Sequence, residues 1–223
     1  MNLILNIDTA LERASVSLAT EGRTLSMAEH GEQKEHAAWL HAAISELLAE
    51  TGCHMADISA VAVSIGPGSY TGLRVGLSAA KGLCYACSLP LIAIGTLELL
   101  AYAAKQEASH LISPVIDARR MDVYTAVFTA ALEEKLAPRE MHLTADSFAD
   151  FLKSGPVLFV GTGIGKLRGL IEHSNARFSN THASAAHMAE LSHAHFTAKR
   201  FVDLVYTEPR YLKEFYGPAP SFA

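Results

Sequence analysis

Residues 61–82 read VAVSIGPGSYTGLRVGLSAAKG, and the fold turns on this block. An apolar, β-branched run through Val61, Val63 and Ile65 stops at Gly66-Pro67-Gly68. From Gly72 onward, Leu73, Leu77, Ala80 and Cys84 recur at helical spacing. A strand, a tight turn built on Gly66, Pro67, Gly68 and Gly72, and a helix N-terminus are expected. Such a turn has two uses. Its backbone N–H groups can cradle an anion, or its missing Cβ atoms can let a helix pack hard against a sheet.

Working outward, Leu3–Ile7 reads as a buried strand, 15–19 as its hairpin partner and 24–29 as a third strand. Residues 33–51 are expected to form a helix with Ala37, Leu40, Ile44, Leu47 and Leu48 on its core stripe, closed by Gly52. Downstream come strand 91–94 and helix 97–107, with Thr96 as its expected N-cap. The second half repeats the order. Strands 111–117 and 123–129 flank the turn Ala118-Arg119-Arg120-Met121. Strand 138–144, helix 146–154, strand 157–160, helices 166–173 and 184–199 and an extended tail from Glu208 follow. Each half is strands first, then helix alternating with strand. The fold class expected is α/β with two tandem lobes, 1–104 and 105–223, the C-terminal helix and tail packing back toward the first.

Of the 223 residues, half are apolar and 18% charged, which suits a well-buried core. A net charge of −5 gives no electrostatic footprint for gripping nucleic acid unaided. Three cysteines, Cys53, Cys84 and Cys87, point to a reducing compartment. The chain starts directly on a strand pattern, so no signal peptide is expected. Its most apolar stretch, 89–104, carries Gly95, Thr96 and Glu98 and is too short to span a bilayer. A cytoplasmic protein is expected.

Five blocks, ILNIDT (4–9), IGPGSYTGLRVGLSAAKGL (65–83), PLIAIGTLELLA (90–101), VIDARRMDVY (115–124) and EPRYLKEF (208–215), occur in the order found in the TsaB (YeaZ) family, and the chain resembles that family over nearly its whole length. The resemblance implies an actin/Hsp70/sugar-kinase-like (ASKHA) fold. It implies a non-catalytic partner of TsaD which, with TsaE and the threonylcarbamoyl-AMP made by TsaC, builds N6-threonylcarbamoyl-adenosine (t6A) at position 37 of ANN-decoding tRNAs. TsaD would be bound directly and TsaE through the TsaB–TsaD complex. The chain alone would be a homodimer, and tRNA would be met only within the complex. Ala10 departs from a position where the family often has serine, and His36-Ala37 from a common His-Ser pair.

In the implied fold, each lobe's first hairpin holds phosphate on an aspartate followed by a glycine- or hydroxyl-rich turn. Here Asp8-Thr9 runs into Ala10-Leu11-Glu12-Arg13-Ala14, and Asp117 into Ala118-Arg119-Arg120-Met121. Both cradles read as spoiled. TsaD carries an HxxxH metal pair in the stretch resembling Pro90–Ala101, where this chain has Thr96 and Leu100. Gly161-Thr162-Gly163-Ile164-Gly165-Lys166 mimics a phosphate loop but has Val160 and Leu167 where the motif needs Gly and Ser/Thr. A residual nucleotide site at Gly161–Gly165 stays open.

Ser69 and Thr71 are not in a G-x-S-x-G elbow and are expected to cap a helix. Cys84 and Cys87 have redox spacing but lie inside a helix, where nothing lowers a thiol pKa. The histidines, including His30, His36 and His41, lack ligand spacing and are expected to be solvated. No catalytic, cofactor-binding or metal-binding residue is expected. The glycines of the turn are expected to serve folding through positive φ.

What remains is a surface. On helix 33–51, Trp39 is expected opposite the core stripe with Ala43, Glu46 and Glu50. The alternative is a Trp39 tucked under its own lobe. On helix 71–88, Val75, Ala79, Gly82 and Ala86 form a second face of small residues. A helix apolar on two sides is buried on two sides, so Trp39, Ala43, Glu46, Val75, Ala79, Gly82 and Ala86 are the expected partner interface. The rival function is an autonomous small ATPase or kinase of the actin-like fold. Stoichiometry with TsaD and TsaE, direct tRNA contact and any proteolysis of a partner are left open.

Overall fold

The computed structural model describes residues 2–31 and 35–213. In the first lobe β1 (Leu3–Asp8), β2 (Ala14–Thr20) and β3 (Arg23–His30) form an antiparallel meander. Strands β4 (Ile58–Ser64) and β5 (Leu91–Ile94) join in parallel on the other side of β1, giving the order β3-β2-β1-β4-β5. Every residue of β1 and β2 is buried, because helices cover both faces of this sheet.

The second lobe holds β6 (Leu111–Asp117), β7 (Asp122–Thr129), β8 (Glu134–His142), β9 (Val157–Val160) and β10 (Ala176–Ser179). Their order, β10-β9-β6-β7-β8, is the first lobe's order repeated. Two such mixed sheets make this a duplicated, actin/Hsp70/sugar-kinase-like α/β fold.

Helices α1 (His36–Thr51) and α2 (Tyr70–Cys87) cover the outer face of the first sheet, packing on Leu5, Ile7, Val16, Leu18, Val61 and Val63. Helices α4 (Ala149–Ser154) and α5 (Ile164–Arg168) cover the outer face of the second through Leu152 and Leu167. Helices α3 (Thr96–Ala104) and α6 (Met188–Thr197) lie between the sheets. Leu97, Leu100, Ala101 and Ala104 of α3 pack on the second sheet. Met188 and Leu191 of α6 pack on Ile4, Ile92 and Ile94 of the first.

The structure corrects several boundaries. Helix 33–51 begins at His36; residues 33 and 34 fall outside the described residues. Gly95, not Thr96, is the N-cap of α3, and the buried Thr96 hydroxyl has no hydrogen-bond partner among the described residues. The strand expected at 138–144 runs Glu134–His142. Thr144 and Ser147 close a turn on each other's hydroxyls, so α4 starts only at Ala149. Gly169 cuts the expected helix 166–173 short, and β10 forms where no strand was expected. Helix 184–199 divides into a 3-10 turn over Ala185–His187 and α6.

Candidate functional site

Between the lobes lies a cleft of about 1040 Å³, walled by the two first hairpins, the start of α2 and the tail. On its first-lobe side the glycine turn faces the β1–β2 hairpin. A methyl on Gly68 would overlap the Ala10 carbonyl oxygen, one on Gly72 the Thr9 carbonyl oxygen, and one on Gly76 the Thr9 hydroxyl. The Ser69 N–H donates to Ala10 O at 2.7 Å, and Thr9 Oγ1 donates to Gly72 O at 2.7 Å. Ser69 Oγ caps α2 by accepting from the Gly72 N–H at 3.2 Å, whereas Thr71 lies inside the helix. Gly66 alone of the turn glycines takes a positive φ, 111°. Gly68 and Gly72 are needed for close approach rather than for φ, which corrects the expectation from sequence.

Asp8 is buried beneath this contact and does not line the cleft. Its Oδ1 accepts from Ser64 Oγ at 2.6 Å and from the Ala10 N–H at 3.1 Å. Burial raises its pKa above the ordinary carboxylate value, against the pull of those two bonds. Asp8 therefore fastens the hairpin instead of presenting a carboxylate to a ligand.

The second-lobe side repeats the arrangement. Asp117 Oδ1 accepts from Lys166 Nζ at 2.8 Å and from the Arg119 N–H at 2.7 Å. Partial burial alone would raise the Asp117 pKa; these two donors outweigh it and hold the carboxyl below its usual value. Methyls on Gly161 and Gly163 would run into Val115, whose carbonyl accepts from the Gly163 N–H at 2.9 Å. The phosphate-loop look-alike at 161–166 is thus folded against β6, with its lysine committed to Asp117.

Across the mouth of the cleft runs the tail. The Arg210 N–H donates to Ile65 O at 2.7 Å, and Arg74 Nε donates to the Tyr211 hydroxyl at 3.1 Å. The Arg74 guanidinium sits 3.9 Å over the Tyr70 ring. Lys213 Nζ reaches the other lobe, at 2.8 Å from Asp122 Oδ2 and 2.5 Å from Glu140 Oε1. With His142, it holds the Asp122 pKa near 2. The sequence reading expected the tail to pack toward the first lobe but did not foresee Lys213 reaching Asp122 and Glu140 of the second.

A second concavity, about 400 Å³, lies on the outer surface where Ala37, Leu40 and His41 of α1 meet Val75, Ala79 and Gly82 of α2. Of the expected α2 face, Val75 (half-buried), Ala79 (barely exposed) and Gly82 (exposed) line this groove, while Ala86 is exposed outside it. On α1 the stripe is rotated from expectation. The core side is His36, Leu40, Ala43, Ile44 and Leu47, while Ala37 is exposed. Ala43, 1% exposed, belongs to the lobe's own core and is not a surface residue. Trp39 does not point away from the core either. It is half-buried, packs against the first core and stacks on His30 at 5.5 Å between ring centroids. Glu46 is exposed.

His36 is not solvated, and His30 is half-buried. His36 is 2% exposed, and among the described residues neither of its ring nitrogens has a hydrogen-bond partner; its ring lies 6.4 Å from that of His30. Cys84 is buried, and burial pushes its thiol up to about 11. Among the described residues no three His, Cys, Asp or Glu side chains group to hold a metal ion. Thr96 and Leu100 are both buried.

A family model described as "TsaD: tRNA N6-adenosine threonylcarbamoyltransferase" matches residues 30–215. The chain is 35% identical over 162 residues to the tRNA threonylcarbamoyladenosine biosynthesis protein TsaB of Bacillus subtilis, covering 71% of this chain and 70% of that protein. It is 30% identical over 228 residues to the TsaB of Escherichia coli K12, covering 94% of each. The chain belongs to the TsaB (YeaZ) family. A solved structure of YeaZ from Pseudomonas aeruginosa superposes with a TM-score of 0.82 at 28% identity, over 95% of this chain and 100% of that one. Another Pseudomonas aeruginosa structure, with a TM-score of 0.83, is described as similar to "peptidase YEAZ". In this family member Ser69 Oγ is engaged in capping α2.

Proposed function

We propose that this chain is a non-catalytic, activating subunit in the formation of t6A on ANN-decoding tRNAs, with a TsaD protein as its direct partner. The observation that carries the reading is the α1–α2 groove. Its walls are mainly apolar and its α2 side carries the small residues Ser78, Ala79 and Gly82, which lets a facing helix pair approach closely. A face able to pair with its own copy is also suited to a homologous lobe. The match of this chain to a model named for TsaD supports that kinship. On this reading the free chain is a homodimer through the groove, and TsaD competes for the same face. TsaE joins through the TsaB–TsaD pair, and the assembly works in the cytoplasm. The three free cysteines suit a reducing compartment. Among the described residues no helix is long and apolar enough to cross a membrane. Two hairpins packed shut against glycine turns support the absence of nucleotide chemistry.

Ser78→Glu or Gly82→Arg, both at exposed positions of the groove, places a charge in it and, in a dimer, places it twice. Light scattering of either variant is expected to give a monomer with unchanged circular dichroism and no co-elution with TsaD. Variants that stay dimeric would put the interface elsewhere. Calorimetry with Mg-ATP is expected to give no binding heat for the isolated chain. Micromolar binding would restore the rival reading of an autonomous ATPase or kinase.

A further inference from the structure

The block VIDARRMDVY leaves two arginines that neither the groove nor the packing explains. Arg119 and Arg120 form the tip of the β6–β7 hairpin and line the inter-lobe cleft. Both are exposed, and both take the left-handed conformation, with φ of 69° and 47°. That region is costly for a long side chain and easy for Asn or Gly. Among the described residues neither guanidinium makes a hydrogen bond or an ion pair. The acids beside them are already matched: Asp117 to Lys166 at 2.8 Å, and Asp122 to Lys213 at 2.8 Å. The two arginine charges therefore stand uncompensated on one wall of the cleft. Tyr70, Tyr124 and Tyr211 line the same space.

We propose that the Arg119–Arg120 hairpin at the cleft mouth binds the phosphodiester backbone of a single-stranded RNA segment. Guanidiniums are the favoured phosphate partners, and the half-buried Tyr124 in the same lining gives an unpaired base an aromatic edge to pack on. A nucleoside polyphosphate clamped between the lobes fits less well. The opposing wall carries Glu12 and a hairpin whose Ala10 carbonyl is closed onto Ser69 N–H. The cation is on one side only, which suits a strand passing over the rim. The identity of the nucleic acid rests on the reading above. Two phosphate contacts on a chain of net charge −5 give weak binding alone, which matters once a partner holds the RNA nearby.

The test is a titration of the isotope-labelled full chain with a single-stranded RNA of about seven nucleotides at about 25 mM salt, followed by NMR. The expected result is a perturbation centred on residues 117–122 and the arginine side-chain signals, which fades as salt rises. The double variant Arg119→Asn, Arg120→Gly suits the left-handed backbone. It is expected to melt no lower than the parent and to bind about tenfold more weakly. Absence of perturbation, perturbation centred elsewhere, unchanged binding by the variant, or an equal response to ADP would each overturn the proposal. Neither arginine lines the α1–α2 groove, so the variant keeps its pairing with TsaD unless that separate reading fails.

Discussion

A methyl group at Gly68 has nowhere to go, because the Ala10 carbonyl oxygen occupies its place. The start of α2 would have to lift off the β1–β2 hairpin, breaking the 2.7 Å Ser69–Ala10 hydrogen bond. Overpacking of this kind costs about 1–3 kcal/mol. At Gly82, on the same helix, an added methyl meets nothing within 4 Å. There alanine removes the entropy cost of a helical glycine, a gain of about 0.5–1 kcal/mol. Gly68→Ala is thus expected to lower the melting temperature and Gly82→Ala to raise it, both read by calorimetry. Equal shifts would mean that close approach is not what Gly68 provides. Sequence placed the turn correctly because Gly-Pro-Gly after a β-branched run has few other readings. It misassigned the reason at Gly68, since the partner atom is on Ala10, far away along the chain and visible only once β1 and β4 are adjacent.

At the scale of the element, α1 shows how a polar residue in a core stripe hides the true face. The buried side runs His36, Leu40, Ala43, Ile44, Leu47, and a hydrophobic reading that skips His36 turns the helix toward Ala37 and Leu48. Trp39 was misplaced by the same rotation; its partner His30 sits on β3, which periodicity along α1 cannot reveal. The buried His36 also makes α1 sensitive to acid. Burial disfavours the imidazolium and lowers the folded pKa below 6.5, with His30 adding repulsion and the Glu12 carbonyl opposing it from outside hydrogen-bond geometry. Above pH 6.5 both folded and unfolded states are neutral. As pH falls from there through the lower folded value, only the unfolded chain takes up the proton, and stability is lost. His187 and His195, also shifted downward by burial, add to the parent's slope, so the informative quantity is the difference between parent and variant. His36→Leu is expected to be near neutral at pH 8, where a polar group without a hydrogen-bond partner is merely replaced. It should flatten the fall in denaturation midpoint between pH 7 and 5. Parallel curves for parent and variant would show that His36 already titrates normally.

For the whole molecule, the repeated strand order was legible because each half arranges strands and helices in the same sequence, and the C-terminal helix and tail were expected to pack toward the first lobe, whereas nothing in the sequence reading placed the stripe of α3 on the second sheet. An apolar helix face states that it is buried but not against which sheet. Here the answer crosses the lobes. Ile4, Ala60, Ile92 and Ile94 of the first sheet are covered by Ala185, Met188 and Leu191 from the far end of the chain. In return, Leu97, Leu100, Ala101 and Ala104 are buried against Ile112, Ile116, Ala126 and Phe128 of the second sheet. Cutting at 104/105 would strip both sets at once, leaving one face of a five-stranded sheet and the stripe of α3 in water. Each large apolar side chain so exposed forfeits about 1.5–3 kcal/mol, so a handful of them exceeds the roughly 5–15 kcal/mol that keeps an ordinary domain folded. The two lobes are therefore expected to unfold together, in a single calorimetric transition. Fragment 1–104 should aggregate or lack a cooperative transition when expressed alone, and adding fragment 105–223 during refolding should recover the fold. A sharp melting transition from 1–104 by itself would show that the first lobe needs neither α6 nor the second sheet, and that the crossed helices only dock two domains already complete.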